Sequence, residues 1–325
     1  MKQEFLGMLE EAETICILGH TNPDGDCLGA TLGLYNYIRR NYPEKEASVY
    51  LMEASRKFSY LPGFDEILHR PSERKYQLAF ILDCAGPERL GDFHILAENA
   101  EEVYVVDHHK TSLSSPFSHR TILPDASSSC ELLYELLDKE KLDRGIASCL
   151  YTGIIHDTGV FKYSATSPRT MEIAGKLMSY GIDFSNIIDD SFYLRSYAQQ
   201  QVRARVLMES VLLLGGRVIA GVLRRKEMRF YGVNQKEIDG IVSDLRETRG
   251  MDGAVFLYEV ADRVFKVSLR SSRSWLDVSE ICAFFGGGGH KMAAGCCLPG
   301  EPEEILEKLS REIEKQLPKG ERSRG

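Results

Sequence analysis

The sequence predicts an α/β fold, with a mostly parallel sheet flanked by helices in the first part and a smaller α/β domain after it. Three observations predict this. Short apolar runs alternate with helical patterns through the first half, as parallel strands with crossover helices require. Several of those runs end in Asp or His. Beyond residue 194 the chain turns polar and helix-prone, and a second strand-rich pattern begins near Val211. With 325 residues, the chain is long enough to bury two separate cores.

The elements follow in order. Ile15-Cys16-Ile17-Leu18 marks a strand over residues 14–18, and the pattern from Asp26 predicts a helix over 26–40. Further strands are expected at 48–52, 78–82 and 103–106. Helices are expected at 128–138, 143–156 and 168–180, with Ser127-Ser128-Ser129 offering a cap and Pro168 suiting a first turn. The segment 194–209 has few breakers and reads as a connecting helix. Strands then follow at 218–223, 228–231, 254–260 and 264–269, with a helix over 236–247 capped by Asn234. Gly286 to Gly289 lies between a helix and a strand that contains Ala293-Ala294-Gly295-Cys296-Cys297-Leu298. The resulting division is an α/β domain over 1–190, a connecting helix over 191–212, a smaller α/β domain over 213–318 and a disordered tail over 319–325.

Composition excludes several classes. An apolar content of 43% and a charged content of 27% are those of an ordinary globular chain. No apolar run has the length of a membrane span, and Met1-Lys2-Gln3-Glu4 is not a signal-peptide start, so a cytoplasmic protein with no membrane partner is expected. The eight cysteines show no C-x-x-C spacing, and reduced, mostly buried thiols are expected. A formal charge of −8 argues against long duplex nucleic acid as a partner, because that needs a basic footprint. A short anionic substrate in a local basic pocket is compatible with it.

The chemistry is concentrated in His20-Thr21-Asn22-Pro23-Asp24-Gly25-Asp26, which follows the first strand. Asp83, Asp107-His108-His109 and His156-Asp157 each follow an apolar run in the same way. In open α/β sheets, loops converge at the carboxyl ends of the strands, so these side chains are expected to form one centre. Taken singly, each has a structural reading: Asn22-Pro23-Asp24-Gly25 is a good turn, Asp26 a good helix cap, and His108-His109 a surface turn. The joint pattern outweighs them, since five of the eight histidines (His20, His108, His109, His156 and His290) fall in or beside the motifs. A set of oxygen and nitrogen donors suits manganese or magnesium better than zinc or iron. Four aspartates and two histidines exceed the needs of one catalytic ion, so two divalent ions are expected.

These motifs, in this order, resemble those of the DHH phosphoesterase superfamily, named for the Asp-His-His triplet. Gly286-Gly287-Gly288-Gly289-His290 with Ala293-Ala294-Gly295 resembles the signature of the DHH-associated C-terminal domain, so the likeness covers nearly the whole chain. Within the superfamily, the chain looks most like the bifunctional oligoribonucleases and adenosine bisphosphate phosphatases, the nanoRNases. Residue by residue, the resemblance implies one manganese on His20, Asp24 and Asp83, and a second on Asp26, Asp83, His108 and Asp157. Asp83 would bridge them. One departure is Ala30 after Gly29, where the family often has Ser, a change that concerns helix packing.

His109, which carries no assigned ion, is expected to give acid or electrostatic support to the phosphate or the leaving oxygen. Asp107 is expected to orient a histidine from behind the ligands. For His156, orienting a ligand and packing against its helix are both open readings. In the second domain, Arg270 resembles the family's phosphate-binding arginine. Gly287, Gly288 and Gly289 let a backbone approach a phosphate, with a flexible loop as the alternative. His290 and Lys291 add polar and basic groups, Arg273 adds charge or is solvated, and Trp275 stacks on a base or packs. The implied activity is manganese-dependent hydrolysis of RNA of about two to five nucleotides, and of adenosine 3′,5′-bisphosphate to AMP. Alternatives are a phosphodiesterase of cyclic di-AMP or of the linear dinucleotide, and an inactive nucleotide-binding regulator. Pyrophosphatase chemistry fits less well, because the glycine-rich motif is of the nucleotide-handling kind. Family resemblance also implies a possible homodimer.

Overall fold

Ile15, Cys16, Ile17 and Leu18 are fully buried because strand β1 (Thr14–Leu18) lies inside a parallel sheet covered on both faces. Ile15 and Ile17 join one core with Leu78, Phe80 and Leu82, whereas Cys16 and Leu18 join the opposite core with Ala79 and Ile81. This is the two-residue alternation of a strand carried by an unbroken apolar run. The computed structural model describes residues 1–84 and 86–318. The tail expected over 319–325 lies outside them. Two compact units are present, divided between Leu194 and Arg195.

In the first unit the chain runs through helix α1 (Lys2–Glu11), β1, helix α2 (Gly25–Asn41), strand β2 (Glu46–Tyr50), strand β3 (Leu78–Leu82), helix α3 (His94–Glu98), strand β4 (Glu102–Asp107) and strand β5 (His119–Ile122). Helices α4 (Ser129–Leu136), α5 (Arg144–Asp157), α6 (Pro168–Met178) and α7 (Phe184–Ile188) complete it. The five strands are parallel in the order β2-β1-β3-β4-β5. The chain leaves β1 in one direction to β2 and returns past it to β3, so the order reverses between β1 and β3. A crevice opens outside the carboxyl ends at such a reversal. Helix starts are fixed by side chains: Asp24 caps α2, Ser128 caps α4, Asp143 caps α5, and Ser167 with Pro168 opens α6 in a capping box. Helix α1 and strand β5 were not anticipated, both being short elements without a marked apolar period.

The second unit begins with helix α8 (Tyr197–Met208), shorter than the 194–209 segment expected. Its Val202 and Val206 are buried with Ile219, Leu245 and Phe256, so the helix is part of this unit's core. Strands β6 (Val211–Leu213), β7 (Val218–Leu223), β8 (Gly253–Ala261), β9 (Val264–Ser271), β10 (Gly288–His290) and β11 (Ala293–Pro299) form a mixed sheet in the order β10-β11-β9-β8-β7-β6. The β7–β8 pair alone is parallel. Helices α9 (Arg225–Tyr231) and α10 (Ile241–Arg246) share one core with α8, and α11 (Val278–Phe284) and α12 (Pro302–Lys315) pack on the other face.

Two expectations fail here. The strand expected over 228–231 is the end of α9, because the Glu227 side chain accepts the Arg224 backbone N–H and opens a helix, and Gly232 at φ 70° closes it. The helix expected over 236–247 is restricted to α10. Gly240 takes a left-handed φ of 82°, which separates Asn234 and its local turn from the helix. No helix among the described residues is long and apolar enough to cross a membrane.

Candidate metal centre

Each side chain of the N-terminal cluster is placed by backbone structure. His20 follows β1, Asp83 follows β3 and Asp107 ends β4, so three neighbouring strands deliver them to the same end of the sheet. Asp24 is the cap of α2, its Oδ1 accepting the backbone N–H groups of Asp26 and Cys27 at 3.1 Å each. Asp26 lies in the first turn of α2. Asp157 ends a helix, α5, rather than a strand, and reaches the cluster because α5 packs along α2.

The donor atoms converge. His20 Nε2 lies 3.5 Å from Asp83 Oδ2 and 3.7 Å from Asp24 Oδ1. His108 Nε2 lies 2.9 Å from Asp157 Oδ2, 3.7 Å from Asp83 Oδ1 and 4.0 Å from Asp26 Oδ2. The two oxygens of Asp83 therefore face different imidazoles. Asp83 itself is fully buried at φ 52°, a left-handed conformation that a non-glycine residue adopts at a cost and that is concentrated at functional sites.

Electrostatics fit a cation-binding role. Burial first, then the neighbouring Asp83, pushes the Asp26 carboxyl up to about 7. Burial and Asp26 push Asp157 up to about 6. Burial opposes a proton on His108, yet Asp157 and Asp26 outweigh it and hold the imidazole up to about 10. The same contest raises His20, where Asp24 and Asp83 prevail over burial. Without a cation the cluster has more buried negative charge than it tolerates, and its imidazoles supply the compensation. His20 Nδ1 and His108 Nε2 are buried without a hydrogen bond, the latter ringed by carboxylate oxygens. Hard oxygen donors with imidazole nitrogens fit a divalent cation.

The supporting residues are equally defined. Asp107 accepts the backbone N–H groups of His108 and His109 at 2.7 and 3.1 Å, His109 Nδ1 at 2.7 Å and the Ser112 hydroxyl. Its oxygens are thus occupied in shaping the triplet. Burial would raise its carboxyl, but His109 and Ser112 hold it below the ordinary range. The Asp107 hydrogen bond in turn raises His109 against burial, and that ring is 37% exposed, open to a ligand. His156 does not reach a carboxylate by hydrogen bond. Its ring packs between Phe58 and Phe192 against Gly25, where a Cβ would overlap it, and burial pushes it down to about 3, so it is neutral.

Sequence reading missed three contributors. Ser129 and Cys130 donate backbone N–H groups to Asp26, Ser129 Oγ donates to Asp83 Oδ1, and Cys27 lies within the His20–Asp83 group. The serine triplet was legible as a helix cap but not as a partner of distant carboxylates. Burial pushes the Cys27 thiol up to about 12, which leaves it neutral beside His20.

In the second unit, Arg270 lies near the end of β9, paired in register with Ala293. The glycine run is a hairpin strand rather than a flexible loop: Gly288, Gly289 and His290 pair with Gly295, Ala294 and Ala293. The amides of Gly286 and Gly287 donate to Ala283 and Cys282, so they are not available to an anion. A Cβ at Gly287 would overlap the Gly295 carbonyl, which is why the hairpin needs glycine there. Gly288, Gly289, His290 and Lys291 are exposed along this sheet edge. Arg273 and Arg217 both bind Asp252 at 2.6 Å, and Arg217 lies over the Trp275 ring at 5.2 Å, so Arg273 and Trp275 belong to a brace.

An aspartate and histidine centre at the reversal point of a parallel sheet, followed by a separate mixed-sheet unit, defines a two-domain α/β protein whose first unit has the donors to hold a divalent cation. The chain belongs to the DHH family: the model for the DHH family N-terminal domain matches residues 14–154, and that for the DHHA1 domain matches residues 215–318. It is 29% identical, over 94% of its length and 96% of the relative, to a probable bifunctional oligoribonuclease and PAP phosphatase NrnA from Streptococcus mutans. To the bifunctional oligoribonuclease and PAP phosphatase NrnA of Bacillus subtilis it is 27% identical, over 95% and 97% of the two chains. A crystal structure of an exopolyphosphatase-related protein from Bacteroides fragilis shares the fold, with a TM-score of 0.86, 24% identity and coverage of 97% and 95%.

Proposed function

We propose that the protein is a phosphoesterase that hydrolyses very short oligoribonucleotides and removes a phosphate from adenosine 3′,5′-bisphosphate. The observation that supports this best is the opposed arrangement of His20 and His108 around the two oxygens of Asp83. The full-length likeness to relatives named for both activities supports the substrate class. Manganese is the proposed metal, with magnesium a weaker alternative: one ion on His20, Asp24 and Asp83, the other on Asp26, Asp83, His108 and Asp157. When bound, such a pair lowers the pKa of a water and neutralises phosphoryl oxygens.

The chain's own residues supply the rest. His109 Nδ1–H donates a hydrogen bond to the Asp107 carboxylate, which keeps the imidazole protonated and leaves Nε2–H to donate to a phosphate or leaving oxygen. Asp107 holds both triplet amides, so the His108 and His109 rings keep their directions while substrate binds. Arg270, His290, Lys291 and the exposed glycine edge bind phosphate and sugar. The proposal extends to a cytoplasmic enzyme that takes short rather than long nucleic acid; a homodimer is implied by family resemblance alone.

The test is product analysis with manganese-loaded protein, offering 5′-phosphorylated diadenosine dinucleotide, adenosine 3′,5′-bisphosphate and cyclic di-AMP in parallel, with Asp83→Ala as control. Release of AMP from the first two, with the cyclic compound nearly untouched, is expected. Comparable cleavage of the cyclic dinucleotide would overturn the substrate assignment. Tight binding without turnover of any of the three would leave a regulator in its place.

A further inference from the structure

We infer that Ser129 is a positioning residue for the metal centre, setting the Asp83 carboxylate so that its two oxygens serve two different ions. The inference rests on the two-ion reading above. Helix α4 starts against the cluster, and its first residue makes two contacts of different kinds. The Ser129 backbone N–H donates to Asp26 Oδ2 at 2.6 Å, and its hydroxyl donates to Asp83 Oδ1 at 3.1 Å. Cys130 N–H takes the other Asp26 oxygen at 3.0 Å. One helical turn therefore fixes two carboxylates, one from the first turn of α2 and one from the end of β3, that lie far apart in sequence. Ser128 does the ordinary work of capping, accepting the Glu131 N–H, so the Ser129 hydroxyl is not needed to start the helix.

The consequence is directional. The hydroxyl holds Asp83 Oδ1, the oxygen 3.7 Å from His108 and 3.6 Å from His109, and leaves Oδ2 towards His20. A carboxylate oxygen retains lone-pair capacity after accepting one hydrogen bond, so the contact orients Oδ1 without blocking it. Without the hydroxyl, Oδ1 loses the contact that keeps it on the His108 and His109 side, while Oδ2 keeps its place towards His20. The platform is itself anchored. The buried Glu131 carboxylate accepts Ser127 Oγ at 2.6 Å and Thr170 Oγ1 at 2.7 Å, joining the first turn of α4 to the start of α6. Ser129 is fully buried, so no solvent can replace its hydroxyl.

Manganese titration by calorimetry, on the full chain stripped of metal, tests this with the parent, Ser129→Ala, Ser129→Thr and Thr170→Val, alongside electron paramagnetic resonance of the loaded proteins. The parent should take up two ions and show an exchange-coupled pair. Ser129→Ala retains both backbone contacts to Asp26. It should bind the ion of the His20 side unchanged and the ion of the His108 side about 10- to 100-fold more weakly, losing the coupled signal. Ser129→Thr restores the hydroxyl and the second ion. Thr170→Val, which removes the α4–α6 join and the Thr170 half of the α6 capping box but touches none of the clustered carboxylates, should lower the melting temperature while keeping both ions. Unchanged titration of Ser129→Ala, or equal weakening of both ions, would overturn the inference while the two-ion reading stands. A parent that takes up fewer than two ions would refute that reading, and the inference with it.

Discussion

At the scale of single residues, the centre is a contest between burial and neighbouring charge, and that contest has a measurable sign. In the metal-free protein, Asp26 and Asp157 keep protons up to about 7 and about 6, and His108 up to about 10. The unfolded chain releases its carboxyl protons near pH 4 and its imidazole protons near about 6.5. These groups and His20 hold more protons in the folded than in the unfolded state between these limits, and together they outweigh His156, which burial keeps neutral and which acts the other way below about 6.5, so stability is expected to fall as pH rises. Metal-stripped protein is expected to melt at a lower temperature at about pH 8 than at about pH 5.5, with divalent cation restoring the loss at the higher pH. Thermal melts with chelator at both values would show it, and an opposite order would count against a shared cation site. His109 separates binding from chemistry. Its replacement by Ala should leave the metal content unchanged and lower turnover of a dinucleotide by about 10²- to 10⁴-fold. Metal analysis beside kinetics decides, because loss of metal would make His109 a ligand.

At the scale of elements, helices α2 and α5 hold two parts of the centre in fixed relation, and glycine makes that possible. A Cβ on Gly29 would stand 2.5 Å from the Cys149 carbonyl oxygen and 2.9 Å from the Gly153 nitrogen, both backbone atoms of α5. Backbone cannot swing aside, so Gly29→Ala should cost about 1–3 kcal/mol in urea denaturation. Ala30, by contrast, is buried beside it without conflict. The capping serine is the second control point of this kind. Ser128→Ala should remove about 0.5–2 kcal/mol by freeing the Glu131 N–H at the start of α4. A smaller loss in the same urea series would mean that the packing of α4, not its cap, fixes the first turn.

At the scale of the whole molecule, each unit has its own hydrophobic core, the first around β1 and β3 and the second around β8 and β9. A chain ending at Leu194 is expected to fold and to bind cations as the parent does. It should lose on the order of 100-fold in dinucleotide turnover if, as proposed, the second unit binds phosphate and that remote binding energy is used at the reacting bond. With the full chain, two- to five-nucleotide RNA should be consumed at least about tenfold faster than a long single strand, measured by length-resolved products. Equal rates would refute a limit on substrate length. Four of the five strands of the first sheet, and the aspartates and histidines that converge at its carboxyl end, were legible in the sequence, because buried parallel strands are unbroken apolar runs and a charged residue just after one is conspicuous. The segment 228–231 was misread for the converse reason: its residues suit a strand, and the Glu227 bond to Arg224 that makes it helical is a three-residue contact that no apolar period announces. Sequence by itself thus determined which aspartates and histidines converge and which sheet they gather at. Only tertiary structure decided that Asp157 arrives on a helix, that Asp107 faces the triplet, and that Ser129 holds Asp26 and Asp83. Those contacts join residues from separate elements, and hydrogen bonds between them depend on distance and angle, which spacing along a chain does not encode.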